Sequence, residues 1–250
     1  MPKLLVCVMT CHRLDYFIDD LTIDWCTQNN LRSLDQQARV NTIRDTWVNG
    51  LKELDIPYKF FYGTVLRDAK PNRRVPETHI LRPALSDEIY LPCGDNYTQN
   101  PAKMKAICRW ALDHGYDYIL RTDDDTFIYP DRLFATNWDQ YNYSGSCATD
   151  DFHPGGCLFL SRRMMELVIA APVTNYADDV WMGQVARDNR IMMNHLPNCR
   201  NQWGTGYKVP IDIDPTGIAS FHSCTPEVMR RLYVYGQNPT SAVDTQTEAG

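Results

Sequence analysis

Near the middle of the chain stands the segment Tyr118-Ile119-Leu120-Arg121-Thr122-Asp123-Asp124-Asp125-Thr126-Phe127-Ile128. Its apolar first half predicts a buried strand over residues 116–122, and three adjacent carboxylates follow where that strand ends. Carboxylates repel one another, so a folded protein seldom gathers three of them at a strand end without a cation. The carboxyl end of a strand is also where open α/β sheets bind ligands. The segment therefore predicts a hard divalent ion held by oxygen ligands, with a diphosphate completing the coordination shell.

Two other interpretations of this acidic segment stay open. An Asp-rich loop can simply cap the segment that follows it, without binding an ion. Similar acidic clusters also occur in nucleases and phosphatases, so the motif alone does not fix the reaction.

Strands and helices alternate along the chain on either side of the acidic segment. The predicted strands are residues 3–9, 58–62 (closed by Gly63), 87–91, 116–122, 157–160 and 218–221; the predicted helices are 33–54 (with Ser33 as N-cap), 101–115, 162–170, 178–188 and 226–235. This alternation predicts an α/β fold with a mostly parallel sheet covered by helices on both faces. Because the pattern contains no linker, residues 1–235 are predicted to form a single domain, with the polar residues 236–250 as a flexible tail.

The composition excludes several classes of protein. The 250 residues are 44% hydrophobic and 22% charged, which is typical of a globular domain. A net charge of −6 disfavours nucleic acid as a partner, since such binding needs a basic surface. No apolar run reaches the roughly 20 residues that span a membrane, and the run at residues 4–9 is too short for a signal peptide. If the chain is complete, these features predict a cytoplasmic protein with no membrane span.

Two further elements carry candidate chemistry. Asp178 and Asp179 begin a predicted helix, where a carboxylate either stabilises the helix start or acts as a general base toward a substrate hydroxyl. His222 follows a predicted strand. It is either a structural residue or a neutral ligand that completes an Asp-based site and favours Mn²⁺ over Mg²⁺. The residue types alone do not decide between these alternatives.

Six segments, taken in order, resemble the β-1,3-glycosyltransferases that include Fringe, the core 1 galactosyltransferase and related galactosyl- and N-acetylglucosaminyltransferases. They are Arg39-(x)3-Ile43-Arg44-Asp45-Thr46-Trp47, Asp95-x-Tyr97-(x)5-Lys103 with Trp110 following, Tyr118 through Phe127, Pro154 through Ser161, Asp178-Asp179-Val180-Trp181-Met182-Gly183, and Phe221-His222. Each segment is a weak signal by itself. Together they cover most of residues 39–235 in the family's order, which makes the resemblance specific.

The resemblance implies a GT-A (Rossmann-like) fold and an inverting hexosyltransferase that uses a UDP-linked donor of the galactose or N-acetylglucosamine type. The implied cofactor is Mn²⁺, with Mg²⁺ as the alternative ion. The implied metal ligands are Asp123, Asp125 and His222. The implied donor-binding residues are Arg39 at the diphosphate, Asp123 and Asp124 at the ribose or the metal shell, Arg44, Trp181, and the pair Gly155-Gly156 at the donor sugar or acceptor. Asp179 is the implied base, and Asp178 is the second candidate.

The chain departs from the family's secretory members, which carry an amino-terminal membrane anchor and paired cysteines. This departure favours a viral or bacterial enzyme, and it leaves the hydroxyl acceptor open among glycans, proteins and lipids. Two other functions remain as alternatives. One is a metal-dependent phosphodiesterase or nucleotidyltransferase that uses the same acidic cluster. The other is a non-catalytic sugar- or nucleotide-binding module, for which a broken acidic motif or a missing base is expected.

Overall fold

The computed structural model describes residues 2–11, 36–66, 78–79, 83–95, 97–146, 151–200 and 213–238. The strands in these ranges are β1 (Leu4–Met9), β2 (Tyr58–Leu66), β3 (Thr78–His79), β4 (Glu88–Gly94), β5 (Tyr118–Asp123), β6 (Phe127–Ile128), β7 (Tyr143–Gly145), β8 (Leu158–Ser161), β9 (Met193–His195), β10 (Cys199–Arg200) and β11 (Ser220–Phe221). The helices are α1 (Gln36–Asp45), α2 (Val48–Glu53), α3 (Asn100–Asp113), α4 (Pro130–Phe134), α5 (Arg162–Ala170), α6 (Asp178–Asp188) and α7 (Pro226–Gln237), with short 3₁₀ turns at Tyr97–Gln99 and Trp138–Gln140.

Eight of these strands form one sheet in the order β3-β2-β1-β5-β8-β7-β9, with β4 also paired to β2. Strand β1 lies at its centre and runs parallel to both β2 and β5. Among the described residues, four of the seven strand pairings in this sheet are parallel. The predicted mostly parallel α/β fold is therefore confirmed, with one addition. Strand β8 runs antiparallel to both of its neighbours, which strand and helix alternation alone did not indicate.

The central strand is buried on both faces because helices cover both sides of the sheet. Leu4, Val6 and Val8 pack in one core with residues of α1, α2 and α7. Leu5, Cys7 and Met9 point the other way, into a second core with residues of α3, α5 and α6. This explains why the sequence of β1 is continuously apolar rather than alternating.

Local signals place the helix ends close to where the sequence predicts them. Helix α3 has Pro101 in its first turn, and the chain leaves it through Gly115 at a φ of 73°. Helix α5 begins after Ser161, whose side chain accepts a hydrogen bond from the Met164 amide. Helix α7 begins after Thr225, which accepts one from the Val228 amide.

The predicted helix over residues 33–54 is wrong in one respect, because the chain forms two helices, α1 and α2. Thr42 and Thr46 each donate a hydroxyl hydrogen bond to the carbonyl four residues earlier, which favours bending of a helix. Trp47 follows, and its indole nitrogen donates to the Thr126 carbonyl at 3.0 Å. The core contact of this tryptophan therefore sets the break. Ser33 lies outside the described residues.

Gly63 does not close β2 as predicted, because the strand continues to Leu66. A Cβ atom at Gly63 would lie 2.8 Å from the Cys93 carbonyl oxygen of β4. The glycine therefore permits close pairing of two strands rather than a turn.

A second, three-stranded sheet has the order β10-β11-β6. Strand β6 comes directly after the acidic segment, and β11 pairs with it antiparallel, Phe221 opposite Phe127. The sequence analysis placed the strand before His222 within a single parallel sheet. The structure corrects this, since the strand pairs with the continuation of the acidic segment in a separate sheet.

The last helix ends at Gln237, two residues beyond the predicted end of the domain, and residues 239–250 lie outside the described part. The division into residues 1–235 and 236–250 stays a prediction. Across the helices that the structure describes, no span combines the length and apolar character needed to cross a membrane.

Candidate active site

The carboxyl ends of β1 and β5 open into a cleft of about 200 Å³. Met9 of β1 pairs with Asp123 of β5, so the two strand ends lie side by side. The cleft is lined by charged groups from segments far apart in sequence: five carboxylates (Asp123, Asp124, Asp125, Asp178 and Asp179), two guanidinium groups (Arg39 and Arg121) and the imidazole of His222. This is the edge at which open α/β sheets bind ligands.

The three predicted metal ligands come together in this cleft. The His222 Nε2 atom lies 3.2 Å from Asp125 Oδ1 and 3.4 Å from Asp123 Oδ2. Potential ligand atoms of the three residues all lie within 4.8 Å of one another. The pairing of β11 with β6 brings His222 back to the cluster, and the Cys224 amide reinforces it by donating to the Asp125 carbonyl at 2.7 Å.

The charges of Asp125 and His222 strongly affect each other's pKa values. Burial opposes ionisation of Asp125, but His222 and then Arg39 outweigh it and lower the pKa of Asp125 to about 2. Burial likewise opposes a charged His222, but Asp125 and Asp123 raise the pKa of the imidazole to about 10. Two carboxylates and one imidazole form a donor set that a divalent transition metal accepts, with the metal replacing the proton on His222. The residues present therefore fit such an ion.

Asp124 lines the same cleft but does not belong to the cluster of Asp123, Asp125 and His222. It is buried, and its Oδ1 accepts a hydrogen bond from Arg39 Nη1 at 3.3 Å. Burial raises the pKa of Asp124 to about 6, although Arg39 opposes the shift. Arg39 itself lines the cleft, as predicted for a residue that meets the donor diphosphate.

Arg121 is a site residue that the sequence analysis did not single out. It lies on β5 and is fully buried. Its Nη1 atom lies 2.8 Å from Asp123 Oδ2, and its Nη2 atom lies 2.9 Å from Asp178 Oδ2. One guanidinium group thus joins the metal-ligand cluster to the second acidic pair. A charged residue within an otherwise apolar strand was the signal available in the sequence.

The two residues of the second acidic pair differ in their surroundings. Asp178 is buried against Arg121, and burial raises its pKa to about 6 even though Arg121 opposes the shift. Asp179 is partly exposed, and its Oδ1 accepts a hydrogen bond from the Val180 amide at 2.8 Å. Burial, opposed by Arg121, also raises the pKa of Asp179. Asp179 is therefore the more accessible carboxylate toward a substrate.

Gly155 and Gly156 lie against the protein's own site residues, and Gly155 also lines the cleft. A Cβ atom at Gly155 would lie 2.6 Å from Asp123 Oδ2, and the Gly155 carbonyl accepts a hydrogen bond from Arg121. A Cβ atom at Gly156 would lie 2.6 Å from the Cβ atom of His222. The predicted role of this pair at the donor sugar or acceptor stays a prediction. The missing side chains make room for Arg121, Asp123 and His222.

Two predicted donor-binding residues do not line the cleft. Arg44 forms ion pairs with Asp87 and Glu88, each at 2.9 Å, and its guanidinium group lies over the Phe60 ring. Trp181 is buried in the second core, where its indole nitrogen donates to the Pro172 carbonyl at 2.8 Å. Ion pairing and core packing account for these side chains, and their predicted contacts with the donor stay predictions.

A buried ion pair stabilises the part of the fold that forms the cleft. The Lys103 Nζ atom lies 2.6 Å from Asp95 Oδ1 and donates to the Thr10 carbonyl at 2.7 Å. The same Asp95 oxygen accepts a hydrogen bond from the Gly63 amide. This pair therefore ties the ends of β1 and β4 to the Gly63 position of β2 and to helix α3. It gives a structural reason for the Asp95-x-Tyr97-(x)5-Lys103 segment.

Residues 38–148 match the sequence model of a family described as Galactosyltransferase. The matched segment includes Arg39 and the carboxylates of residues 123–125, whereas Asp179 and His222 lie beyond its end. This match supports a glycosyltransferase. No curated protein sequence matches the chain.

Several solved structures have a similar arrangement. A glycosyltransferase involved in the glycosylation of the major capsid of PBCV-1 is 11% identical, with 91% of this chain and 98% of that chain covered, and a TM-score of 0.44. The mannosyltransferase PcManGT from Pyrobaculum calidifontis, in complex with GDP-Man and Mn²⁺, is 14% identical (78% and 55% covered, TM-score 0.40). The catalytic domain of Drosophila β1,4-galactosyltransferase 7, in complex with xylobiose, is also 14% identical (78% and 65% covered, TM-score 0.39). At these identities and scores the similarities carry no argument about function.

Proposed function

We propose that this protein transfers a hexosyl group from a UDP-linked donor to a hydroxyl acceptor, with inversion at the anomeric carbon and with Mn²⁺ as cofactor. The observation that carries the proposal is the convergence of Asp123, Asp125 and His222 beside the partly exposed Asp179 in a single cleft. A galactose or N-acetylglucosamine donor follows from the sequence resemblance to the Fringe and core 1 enzymes.

The donor side of the site comprises the three ligands and Arg39. When bound, a divalent ion would neutralise the negative charge that develops on the diphosphate as its bond to the sugar breaks. Arg39 adds a second positive charge at the same edge, and Asp124 holds its guanidinium group in place at 3.3 Å. Asp124 is then a positioning residue rather than a metal ligand. The imidazole of His222 favours Mn²⁺ over Ca²⁺, which prefers shells made entirely of oxygen.

On the acceptor side, Asp179 takes the proton of the attacking hydroxyl as the new glycosidic bond forms. The bond to the diphosphate breaks on the opposite face of the sugar in the same step, so no protein nucleophile is needed. The raised pKa of Asp179 strengthens it as a proton acceptor. The ion pair with Arg121 holds Asp178 next to Asp179. Asp178, the first residue of α6, therefore serves to position the start of that helix.

A panel of nucleotide sugars tests the proposal and separates it from both alternatives. UDP-galactose, UDP-N-acetylglucosamine, UDP-glucose and GDP-mannose are incubated with the protein and Mn²⁺, with and without a chelator, and the products are identified. Metal-dependent release of UDP and free sugar from a UDP-linked donor is the expected result. Release of UMP and sugar 1-phosphate would instead indicate phosphodiesterase chemistry, and binding without any turnover would indicate a recognition module.

The cytoplasmic location and the viral or bacterial origin inferred from the sequence stay predictions, and the sequence leaves the acceptor open among glycans, proteins and lipids. The geometry of the cleft gives more direct information about the acceptor than the sequence does.

A further inference from the structure

Two tyrosines with large exposed surfaces contact each other, and one of them, Tyr97, lines the cleft. Tyr97 is 40% exposed and Tyr176 is 60% exposed. Their ring centroids lie 5.8 Å apart, with the ring planes inclined by 62°. The two residues come from separate segments, because Tyr97 begins the 3₁₀ turn before α3 and Tyr176 lies two residues before α6. Folding therefore assembles an aromatic surface that neither segment has alone.

This aromatic surface, Tyr97 with Tyr176, lies on the side of the cleft that holds the proposed base. Tyr97 lines the cleft together with Asp178 and Asp179. Burial, and then the charges of Asp179, Asp178 and Asp123, raise the pKa of Tyr97, so its phenol stays neutral. The arrangement thus sets an uncharged aromatic face beside the carboxylate that would accept the hydroxyl proton.

Both tyrosines are held on anchored segments. The residue two places before Tyr97 is Asp95, which is fixed by Lys103 and by the Gly63 amide. The segment before α6 is fixed at Pro172, whose carbonyl accepts a hydrogen bond from the Trp181 indole nitrogen at 2.8 Å. A preformed apolar face beside a few polar groups is typical of sites that bind small molecules.

We propose that Tyr97 and Tyr176 form the subsite for a pyranose ring of the acceptor, so that the acceptor is a glycoside. This inference rests on the proposed function. A pyranose ring presents axial C–H groups on one face and hydroxyl groups around its edge. The C–H face packs on the electron-rich face of an aromatic ring, and an edge hydroxyl then points toward Asp179. The acceptor side chain of a protein, such as a serine, offers no comparable flat apolar face.

The first experiment measures binding without relying on turnover. Saturation-transfer NMR is recorded for methyl β-galactopyranoside, methyl β-glucopyranoside and methyl N-acetyl-β-glucosaminide, with N-acetylserine amide as the non-sugar probe. Ring protons of at least one glycoside should receive saturation from wild-type protein and from Tyr176→Phe, which keeps the ring. The signal should be lost in Tyr176→Ala. Met192→Ala, which removes a side chain that is 68% exposed elsewhere, serves as the control and should behave as wild type.

The second experiment measures transfer to the glycoside that binds. Tyr176→Ala should raise the acceptor KM about tenfold or more, whereas Tyr176→Phe should stay within about threefold of wild type. An unchanged acceptor KM in Tyr176→Ala, no saturation of any glycoside, or preferred transfer to N-acetylserine amide would overturn the inference. Donor hydrolysis by the wild-type protein is scored separately. If it is absent while the glycoside signal still depends on Tyr176, the proposed function fails and the sugar subsite stands.

Discussion

Gly156 packs directly against His222, and a Cβ atom added to the glycine would lie 2.6 Å from the Cβ atom of the histidine. The backbone just before β8 therefore forms the wall that holds the imidazole toward Asp123 and Asp125. We expect Gly156→Ala to displace His222 and to weaken Mn²⁺ binding about tenfold, a loss typical of groups that orient metal ligands. Calorimetric titration with Mn²⁺ measures the effect.

Gly236→Ala in helix α7 is the matched control, because its Cβ atom would lie 2.8 Å from the ring of Tyr129, the residue before α4, away from the cleft. It should lower the free energy of unfolding by about 1–3 kcal/mol through overpacking and leave Mn²⁺ affinity unchanged. Equal Mn²⁺ affinities in Gly156→Ala and wild type would contradict the proposed wall.

His222 itself gives a second prediction. His222→Ala should weaken Mn²⁺ binding about tenfold or more while preserving the fold, because two carboxylates remain but the nitrogen ligand is gone. Added Mn²⁺ should raise the melting temperature of wild type more than that of the variant, since the ion binds the native state. A variant that melts earlier yet binds Mn²⁺ as wild type does would show that His222 is only a structural residue.

Substitutions of the neighbouring carboxylates Asp178 and Asp179 should have different effects. Asp179→Asn keeps the shape of the side chain but cannot accept a proton, so turnover should fall by about 10² to 10⁴-fold with donor binding retained. Asp178→Asn instead weakens the ion pair with buried Arg121, and we expect a loss of about 1–3 kcal/mol in the free energy of unfolding. Rates and urea denaturation of both variants provide the comparison. Normal turnover in Asp179→Asn would move the base elsewhere.

The buried Lys103–Asp95 pair predicts a large and specific stability effect. Lys103→Met leaves Asp95 charged and buried without its cation, which should lower the free energy of unfolding by about 3–5 kcal/mol. The double variant Lys103→Met with Asp95→Asn should recover part of that loss, because the uncompensated charge is removed. Lys59→Met, at an exposed lysine that donates to the Ser86 carbonyl, should change stability little. A small effect in Lys103→Met would contradict the bracing role.

His153 makes stability depend on pH. It is buried against Tyr143, its Nδ1 atom lies 3.0 Å from the Ser146 carbonyl oxygen, and burial lowers its pKa to about 4. The unfolded chain has the ordinary pKa of about 6.5 at this position, so between pH 6.5 and 4 the unfolded state binds the extra proton. His153 should therefore destabilise the fold by about 3 kcal/mol as pH falls through that window.

Urea denaturation between pH 4.5 and 7.5 tests this on wild type and on His153→Asn, whose amide keeps a donor to Ser146. Asp124 and Asp178 act in the opposite sense, because their raised pKa values let the folded state bind protons first. The difference between the two proteins isolates His153. Parallel stability curves would rule out a buried neutral imidazole.

Much of the fold could be predicted because the signals are local. Apolar residues in β1, Pro101 at the start of α3 and the caps at Ser161 and Thr225 each act within a few residues. The break between α1 and α2 could not be predicted, because it depends on Trp47 reaching the carbonyl of Thr126, far along the chain. Short strands such as β6 and β11 exist only through their pairing with each other.

In the candidate site, too, features with a local sequence signal could be predicted and features that depend on distant contacts could not. The residue types of the acidic segment indicated a metal site, and the resemblance implied Asp123, Asp125 and His222 as its ligands. Arg44 and Trp181 lie outside the cleft lining, which a motif could not indicate because it does not show which face of a helix a residue occupies. Arg121 was missed because its role depends on Asp178, which approaches only in the folded chain.

The route by which His222 reaches the carboxylates has a consequence for how the protein is made. A ribosome delivers residues 123–125 almost a hundred positions before residue 222, and the histidine is then held by the short pairings of β11 with β6 and β10 and by the contact of Cys224 with the Asp125 carbonyl. The central strands β1, β2 and β5 have all been synthesised by then. The candidate ion site is accordingly completed late in translation, and of the described elements only helix α7 follows it. A chain that stops before residue 222 would carry the acidic cluster without the group that makes it selective.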